Sequence, residues 1–192
     1  MNQEYNDKFR LYGLVPYQLT GIQQGIQFGH ALQELNNYYR DNPEDSNFSD
    51  FKTWSEQCKT FIVLNGGTTN DRTVGLDFFG SLNNHKKQLE LMDINVGTFN
   101  EPDLGDQLTA IVFVVPECVY NKKDYPEFWD WEPVIHYAKK EDKSHELLAF
   151  KTDNTEEVSE EIRTFYDNWV LSIMGEKKWA DLREFLRKFR LA

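Results

Sequence analysis

Apolar residues follow two spacings along this chain, and each spacing predicts one kind of element. Runs of consecutive apolar residues predict strands at 10–19, 59–64 and 108–115, and Ile94 with Val96 predicts a further short strand. The runs at 59–64 and 108–115 are apolar almost throughout. That composition is typical of strands that are covered on both faces of a sheet.

Apolar residues three or four positions apart predict helices between and after these strands. In the first helix the buried side is formed by Phe28, Leu32, Leu35 and Tyr39, and Thr20 is placed to cap its start. The predicted helices span 21–40, 76–92, 154–175 and 176 onward. The last two read as a helical hairpin.

Together these elements predict an α/β fold with a small mixed β-sheet of about four strands flanked by helices. The α/β alternation is complete by about residue 118, so we divide the chain into a domain at 1–118 and an extension at 119–192. The extension begins with an acidic, aromatic stretch of little periodicity at 120–151. Its aromatic residues at 125–131 suit either a partner-docking surface or a satellite core around Phe128, Trp129 and Trp131.

The first helix carries two polar or small-residue patterns. Gly21, Gly25 and Gly29 stand four apart, and each interior glycine costs a helix about 1 kcal/mol relative to alanine. We therefore expect another backbone or a ligand close to this ridge. A second face, opposite the apolar stripe, collects Gln23, Gln27, His30 and Glu34, and periodicity alone predicts that this face is solvated.

Composition narrows the classes of partner and compartment. Of 192 residues 40% are hydrophobic, and 32 acidic against 21 basic residues leave a net charge of −11. This charge argues against a general nucleic-acid binder, whose affinity comes from Lys and Arg. No apolar run approaches the about 18 residues of a membrane span, and the N-terminal segment is unlike a signal peptide. We expect a soluble, cytoplasmic protein.

Cysteines and histidines point to no bound group. Cys58 and Cys118 are too few for a disulfide framework or a four-ligand zinc site, and they read as buried or half-buried thiols. The remaining histidines, His85, His136 and His145, lack metal-ligand spacing. We therefore predict neither a metal nor a cofactor.

The segment GIQQGIQFGHA, which follows an apolar strand and precedes a buried one, resembles the first helix of type 2 peptidyl-tRNA hydrolases. In that family a turn with glycine and lysine leads into a helix bearing Ala-Gln-Cys-Ser-His-Ala. When the two are matched on His30 and Ala31, Gln27 falls on the family's glutamine. Gln23 falls on its functional lysine, and Phe28 and Gly29 replace the cysteine and serine.

A second segment, TFNEPDLGDQLTAIVFVVP, is similar to the family's loop that leads into the last strand. Counting back from Pro116 puts Thr98 on the family's aspartate and Pro102 on its threonine. A shift of a few residues would bring Glu101 or Asp103 to the site instead. The resemblance covers about residues 9–117 and implies the type 2 peptidyl-tRNA hydrolase fold.

The activity that the resemblance implies is hydrolysis of the ester that joins a peptide to tRNA. Such a reaction needs a group that deprotonates water and donors for the developing oxyanion. His30, Glu101 or Asp103 would serve as the base, and Gln27 and Gln23 as donors. Replacing the lysine by Gln23 keeps a donor but removes a positive charge.

Charge distribution leaves a second hypothesis open. Residues 101–160 hold 15 acidic and 6 basic side chains, which would repel tRNA. The last helix has a small basic excess, to be read either as ion pairs on a solvated face or as a phosphate-binding patch. The alternative to a hydrolase is thus an inactive binding module on the same fold, which recognises a protein or a basic ligand through residues 120–192. A homodimer is left open.

Overall fold

The structure is a computed structural model that describes residues 7–69 and 81–192. Its sheet contains four strands, which are β1 (Phe9–Pro16), β2 (Thr60–Gly67), β3 (Gly97–Glu101) and β4 (Gln107–Pro116). The strand order is β2-β1-β4-β3, with β1 and β2 parallel and the other two pairs antiparallel. The predicted α/β fold with a mixed four-stranded sheet is therefore confirmed.

Contacts divide the chain into two compact units. The first contains residues 1–117 together with 184–192, and the second contains residues 118–183. The last residues of the chain, assigned from the sequence to the extension, thus belong to the unit that holds the sheet. They reach it by backbone pairing, because Asn65 N donates to Arg190 O at 2.9 Å and Ala192 N donates to Val63 O at 3.0 Å.

Two strand predictions needed correction. Ile94 and Val96 lie before the strand rather than in it, since β3 begins at Gly97. The run at 59–64 forms β2, which lies at one edge of the sheet, and Phe61 on it is 51% exposed. An edge strand lacks one neighbour, so apolar composition alone did not show which strand was central. By contrast, β4 is buried along most of its length, as predicted.

One face of the sheet is covered by helix α1 (Gly21–Asp41) and by the short helix α2 (Phe48–Thr53) with the turn at Trp54–Cys58. The α1 helix contacts β3 and β4 most extensively. Two glycines in the strands allow this close approach. A Cβ at Gly13 would collide with the Phe28 ring, and one at Gly97 would collide with Ala31 O and the Leu35 backbone.

The opposite face carries helix α3 (Ser81–Leu91), whose Leu82 lies against Gly66 and Leu14. Leu14 points away from the α1 side because neighbouring residues in a strand face opposite ways. The α3 helix lies within the helix predicted at 76–92, and the first part of that prediction falls outside the described residues. Helices on both faces give the α/β layering that alternating strands and helices predicted.

The second unit is helical. It contains most of α4 (Glu117–Tyr120), then α5 (Glu132–Lys140), α6 (Ser144–Lys151) and α7 (Glu160–Trp169), and α8 (Lys177–Leu186) begins in it. The stretch at 120–151 that showed little periodicity therefore holds two helices. The helix predicted from Asn154 begins at Glu160, after a 3-10 turn, and it continues as a π-helical turn to Met174 before Gly175 ends it.

A buried arginine organises the start of the second unit. Arg183 is 2% exposed, and its guanidinium donates to backbone carbonyls of Cys118, Val119, Tyr125 and Pro126. Nearby, Phe128 is enclosed by the rings of Phe150, Tyr166 and Trp169. The satellite core is thus present, and it is centred on Phe128.

Both cysteine thiols match their prediction, with Cys58 buried, Cys118 half-buried and neither in a disulfide. Among the helices of the described residues, none combines the length and the apolar composition needed to cross a membrane.

Candidate functional site

The candidate site lies at the end of the sheet where β1 and β2 finish and β4 begins. Here α1 starts with a capping box, in which Gln23 N donates to the Thr20 hydroxyl and Gln23 Oε1 accepts from Thr20 N. Gln24 Nε2 also donates to Pro16 O at 3.1 Å. These bonds fix the first turn of α1 to the end of β1 and orient the side chains that follow.

Gln27 is the centre of the site. It is 7% exposed, its Nε2 donates to Glu101 Oε2 at 2.6 Å, and its Oε1 accepts from the Thr109 hydroxyl at 2.5 Å. Both ends of the amide are therefore hydrogen-bonded. Because the bond to Thr109 fixes the orientation of the amide, its Nε2 stays directed at the Glu101 carboxylate. Gln27 was predicted on the solvated face, which is wrong because the buried side of α1 extends past the apolar stripe through Ala31 to Gln27.

A β-bulge brings Thr109 into this network. Phe99 pairs with Ala110 and Asn100 pairs with Leu108, so Thr109 has no residue opposite it on β3. An extra residue of this kind lets a side chain take a direction that regular pleating would not allow. The Thr109 hydroxyl lies 3.2 Å from Phe99 O and within reach of Gln27.

His30 lies one turn after Gln27 on α1 and packs on Phe99 of β3. Its ring stacks on Phe99 with centroids 4.4 Å apart and an interplanar angle of 21°. The imidazole is exposed to solvent. Because Phe99 and Glu101 face the same side of β3, His30 and the pair of Gln27 and Glu101 occupy adjacent positions on one edge.

The other predicted residues are placed less centrally. Gln23 is exposed and serves the capping box, and Asp103 is exposed in the 3-10 turn Pro102–Leu104. Thr98 pairs with Ile111 and points to the sheet face opposite α1, since Gly97 and Phe99 point towards α1. The structure thus joins Gln27 to Glu101 by a hydrogen bond and places His30 against Phe99 of the same strand. Thr98 faces the other side of the sheet, and Asp103 lies in the exposed turn.

A second polar chain borders the first. Gln18 Nε2 donates to Thr69 Oγ1 at 3.3 Å, and that hydroxyl donates to Gln107 Oε1 at 2.9 Å. Gln107 is the strand partner of Glu101. Gln18, Thr69, Gln107 and Thr109 were not predicted from the sequence. The signal for three of them was positional, because Gln18 and Thr69 each follow a strand and Gln107 begins one at the same end of the sheet. Thr109 lies inside β4, and only the bulge shows its role.

The three glycines of α1 do not serve the expected contact. A Cβ at Gly21, Gly25 or Gly29 would meet no atom of the described residues within 4 Å, apart from the helix itself. Within the described part of the chain no backbone packs on this ridge, and the other alternative, a ligand, stays a prediction. The ridge lies beside Ile22 and Ile26, which are 80% and 51% exposed.

The described residues contain no group of three or more His, Cys, Asp or Glu side chains able to hold a metal ion. Comparisons of the chain with protein-family models, with curated proteins and with solved structures found no match. The assignment of chemistry therefore depends on the geometry of the site itself.

Proposed function

We propose that this chain is a hydrolase that cleaves an ester or amide bond at the site of Gln27, Glu101 and Thr109. The observation that carries the proposal is the bonded series in which Thr109 holds Gln27 and Gln27 holds Glu101, at 2.5 and 2.6 Å. A carboxylate that is fixed in this way is suited to act as a general base, because little reorganisation precedes proton transfer.

The proposed reaction uses the second oxygen of Glu101. Oε1 takes a proton from water as the water oxygen attacks the substrate carbonyl carbon, and negative charge develops on the carbonyl oxygen. When the bond to the leaving oxygen or nitrogen breaks, the proton passes from Glu101 to that leaving group. Gln27 positions the base, and the exposed amide of Gln23 and the ring of His30 flank it on α1, where they would contact substrate.

The resemblance to type 2 peptidyl-tRNA hydrolases supports this assignment. Gln27 matches the glutamine of the family's helix, and Glu101 lies in the segment similar to the family's second signature. The two segments meet at Gln27, which bonds Glu101, 74 positions further along the chain, and Thr109, 82 positions further along. We infer that the first unit has that family's fold.

The charges around the site favour one class of substrate. Glu101, Asp103 and Asp106 place three carboxylates within six residues, and the position of the family's lysine is occupied by the neutral Gln23. A polyanion such as tRNA would be repelled by this loop. We propose an acyl or peptidyl ester of an uncharged or cationic alcohol as the preferred substrate, with peptidyl-tRNA as the weaker one.

The test is hydrolysis of a model peptidyl-tRNA and of a neutral peptidyl ester by the purified protein. Glu101→Gln should lower kcat by about 100-fold or more, because general bases typically contribute at least that factor. The glutamine keeps an oxygen for the Gln27 bond, so folding should be retained. Asp106→Asn is the matched control, since Asp106 lies on the same loop with a left-handed backbone that asparagine tolerates.

Two results would contradict the proposal. If neither substrate is cleaved at micromolar protein, the chain is not a hydrolase of these bonds. If Asp103→Asn removes activity while Glu101→Gln retains it, the base is Asp103 and the assignment of Glu101 is wrong.

The second candidate function is a binding module without catalysis. It is favoured by the use of Gln23 in the helix cap, where its Oε1 accepts from the Thr20 N–H and hydroxyl at 3.0 Å each. The acidic excess over 101–160 suits a basic ligand. This candidate predicts that a lysine-rich peptide binds with an affinity that falls as salt rises. Equal affinity for a neutral peptide would rule out this charge-based recognition.

A further inference from the structure

A cavity lies in the first unit, away from Gln27 and Glu101. It has a volume of about 310 Å³, and it lies between the turn that ends β2, the start of α3 and the segment after α8. Its described lining includes Asn65, Gly67, Ser81, His85, Lys188 and Arg190. A cavity of this volume is at the lower end of the range for small organic ligands.

The basic residues of this cavity differ in their ion pairing from the basic residues that precede them in the chain. Four basic side chains at 177–187 each pair with a carboxylate, as Lys177 with Asp181, Lys178 with Glu176, Arg183 with Glu127 and Arg187 with Glu184. Lys188 and Arg190 pair with no carboxylate among the described residues. The partner of Lys188 is the neutral amide oxygen of Gln88, at 3.4 Å.

No described lining residue of the cavity is acidic, although the chain carries a net charge of −11. The two cations therefore create a local positive field that nothing in the lining offsets. The Ser81 hydroxyl is already used, since it donates to Gly66 O at 3.0 Å and accepts from Thr68 N at 2.7 Å. Lys188, Arg190 and the Asn65 amide are the donors that remain for a ligand.

His85 supplies an independent feature of the same cavity. Its ring is held edge-on by Phe185 and Phe189, with centroids 5.8 and 4.8 Å away, and its buried Nδ1 has no hydrogen-bond partner among the described residues. Burial, followed by the charge of Lys188, lowers the pKa of His85 below its usual value. A bound anion would offset the positive charge of Lys188 and so oppose this lowering of the His85 pKa.

We propose that this cavity binds a small organic phosphate monoester, with the phosphate on Lys188 and Arg190. The guanidinium of an arginine forms paired hydrogen bonds to phosphate oxygens, and a lysine adds a point charge. Phe189 also lines the cavity, and its ring is an apolar group that the organic part could contact. This proposal does not depend on the hydrolase activity.

The first experiment is calorimetric titration of the full chain with ribose 5-phosphate, inorganic phosphate and ribose. Ribose 5-phosphate should bind more tightly than inorganic phosphate, and ribose should not bind. Saturation with ribose 5-phosphate should raise the pKa of His85, which is measured by an NMR pH titration of its ring. Binding of ribose equal to that of ribose 5-phosphate, or an unchanged His85 titration, would overturn the proposal.

Variants test the assignment to these two cations. Lys188→Gln with Arg190→Gln should weaken ribose 5-phosphate binding by about 10-fold or more, because two charge-assisted contacts are removed. Lys177→Gln with Arg187→Gln removes the same charge from paired positions and should change binding less than about 2-fold. Thermal unfolding checks that both proteins are folded.

An equal loss in both double variants would show that only net charge matters and would contradict a built site. Sedimentation with vesicles that contain phosphatidic acid separates a soluble ligand from a lipid headgroup. Binding to these vesicles without binding to ribose 5-phosphate would overturn the assignment to a soluble ligand. The His85 titration needs no substitution, so the proposal remains testable if a variant fails to fold.

Discussion

Gln27 is the residue on which the candidate site depends most. It sits at the border between the buried and exposed sides of α1, and it joins that helix to β3 through Glu101 and to β4 through Thr109. A buried amide with both ends bonded stabilises the fold only while each partner is present. The same residue therefore affects both the stability of the first unit and the proposed chemistry.

Substitution of Thr109 tests this arrangement. Thr109→Val keeps the shape of the side chain and removes the donor to Gln27, which leaves a buried oxygen unpaired. We expect the free energy of unfolding to fall by about 1–3 kcal/mol. Thr109→Ser retains the hydroxyl and should cost less. Urea unfolding of both variants measures the difference, and equal stability of the valine variant and the unmodified protein would show that the bond contributes nothing.

A second residue-scale prediction concerns Glu146 in the second unit. Burial raises the pKa of this carboxyl, but hydrogen bonds from Ser159, with one from its backbone N–H at 2.7 Å, and the nearby Lys143 outweigh it, so the pKa is lowered. A lowered folded-state pKa means that its stabilisation is present above about pH 4.5, the unfolded value, and is lost as the pH falls through the folded value.

Glu146→Gln removes this titration and should flatten the loss of stability below about pH 4.5. The measurement is the free energy of unfolding in urea from pH 7 to pH 3 for both proteins. Leu148→Ala, at an uncharged residue that is 63% exposed in the same helix, serves as the control. Identical pH profiles for the unmodified protein and Glu146→Gln would contradict the role of Glu146.

At the scale of elements, the glycines of α1 and β3 occupy two kinds of position, one open and one closely packed. At Gly25 and Gly29 of α1 a Cβ would meet no described residue within 4 Å, whereas Gly97 lies beneath the α1 backbone. Gly25→Ala and Gly29→Ala should each raise the free energy of unfolding by about 0.5–1 kcal/mol, since alanine is the better helix former. Gly97→Ala should lower it by about 1–3 kcal/mol through overpacking.

Thermal and urea unfolding of the three variants tests this contrast. A loss of stability in Gly25→Ala would mean that another helix packs on this ridge in solution. Sedimentation at two concentrations would then show whether that helix comes from a second copy of the chain.

The strand predictions show what one element can and cannot reveal. Both β2 and β4 were apolar enough to be read as central, yet only β4 is central, because a strand's own composition does not state its neighbours. The outer edge of β2 instead forms an antiparallel β-bridge, in which Leu64 pairs with Leu191. That pairing covers part of an edge that would otherwise be open to other chains.

At the scale of the whole molecule, the chain end completes the first unit. Phe185 is 2% exposed, and it contacts His85 and Phe189. Residues 184–192 thus stabilise a sheet whose other parts end at residue 117. Backbone pairing to the edge of β2 thus comes from Arg190 and Ala192, more than 65 positions after Glu117.

Phe185→Ala should therefore destabilise β2 as well as its own helix. We expect a loss of about 3–5 kcal/mol, the usual cost of truncating a buried phenylalanine. Hydrogen exchange of the β2 backbone amides measures the effect at a distance in sequence. Leu91→Ala, at a residue 78% exposed, is the control and should leave this exchange unchanged. Unchanged protection of β2 in Phe185→Ala would contradict the coupling.

By itself, the sequence determined the α/β class, the main helices and strands, and Gln27, His30 and Glu101 as candidate residues. These follow from periodicity and from a resemblance in short segments, which are local properties. Only the tertiary structure decided that β2 is an edge strand and that Thr109 and Gln107 join the site. It also decided that Lys188 and Arg190 pair with no carboxylate of residues 7–69 and 81–192. Each of these depends on contacts between residues far apart in the chain, and no local pattern encodes the positions that folding brings together.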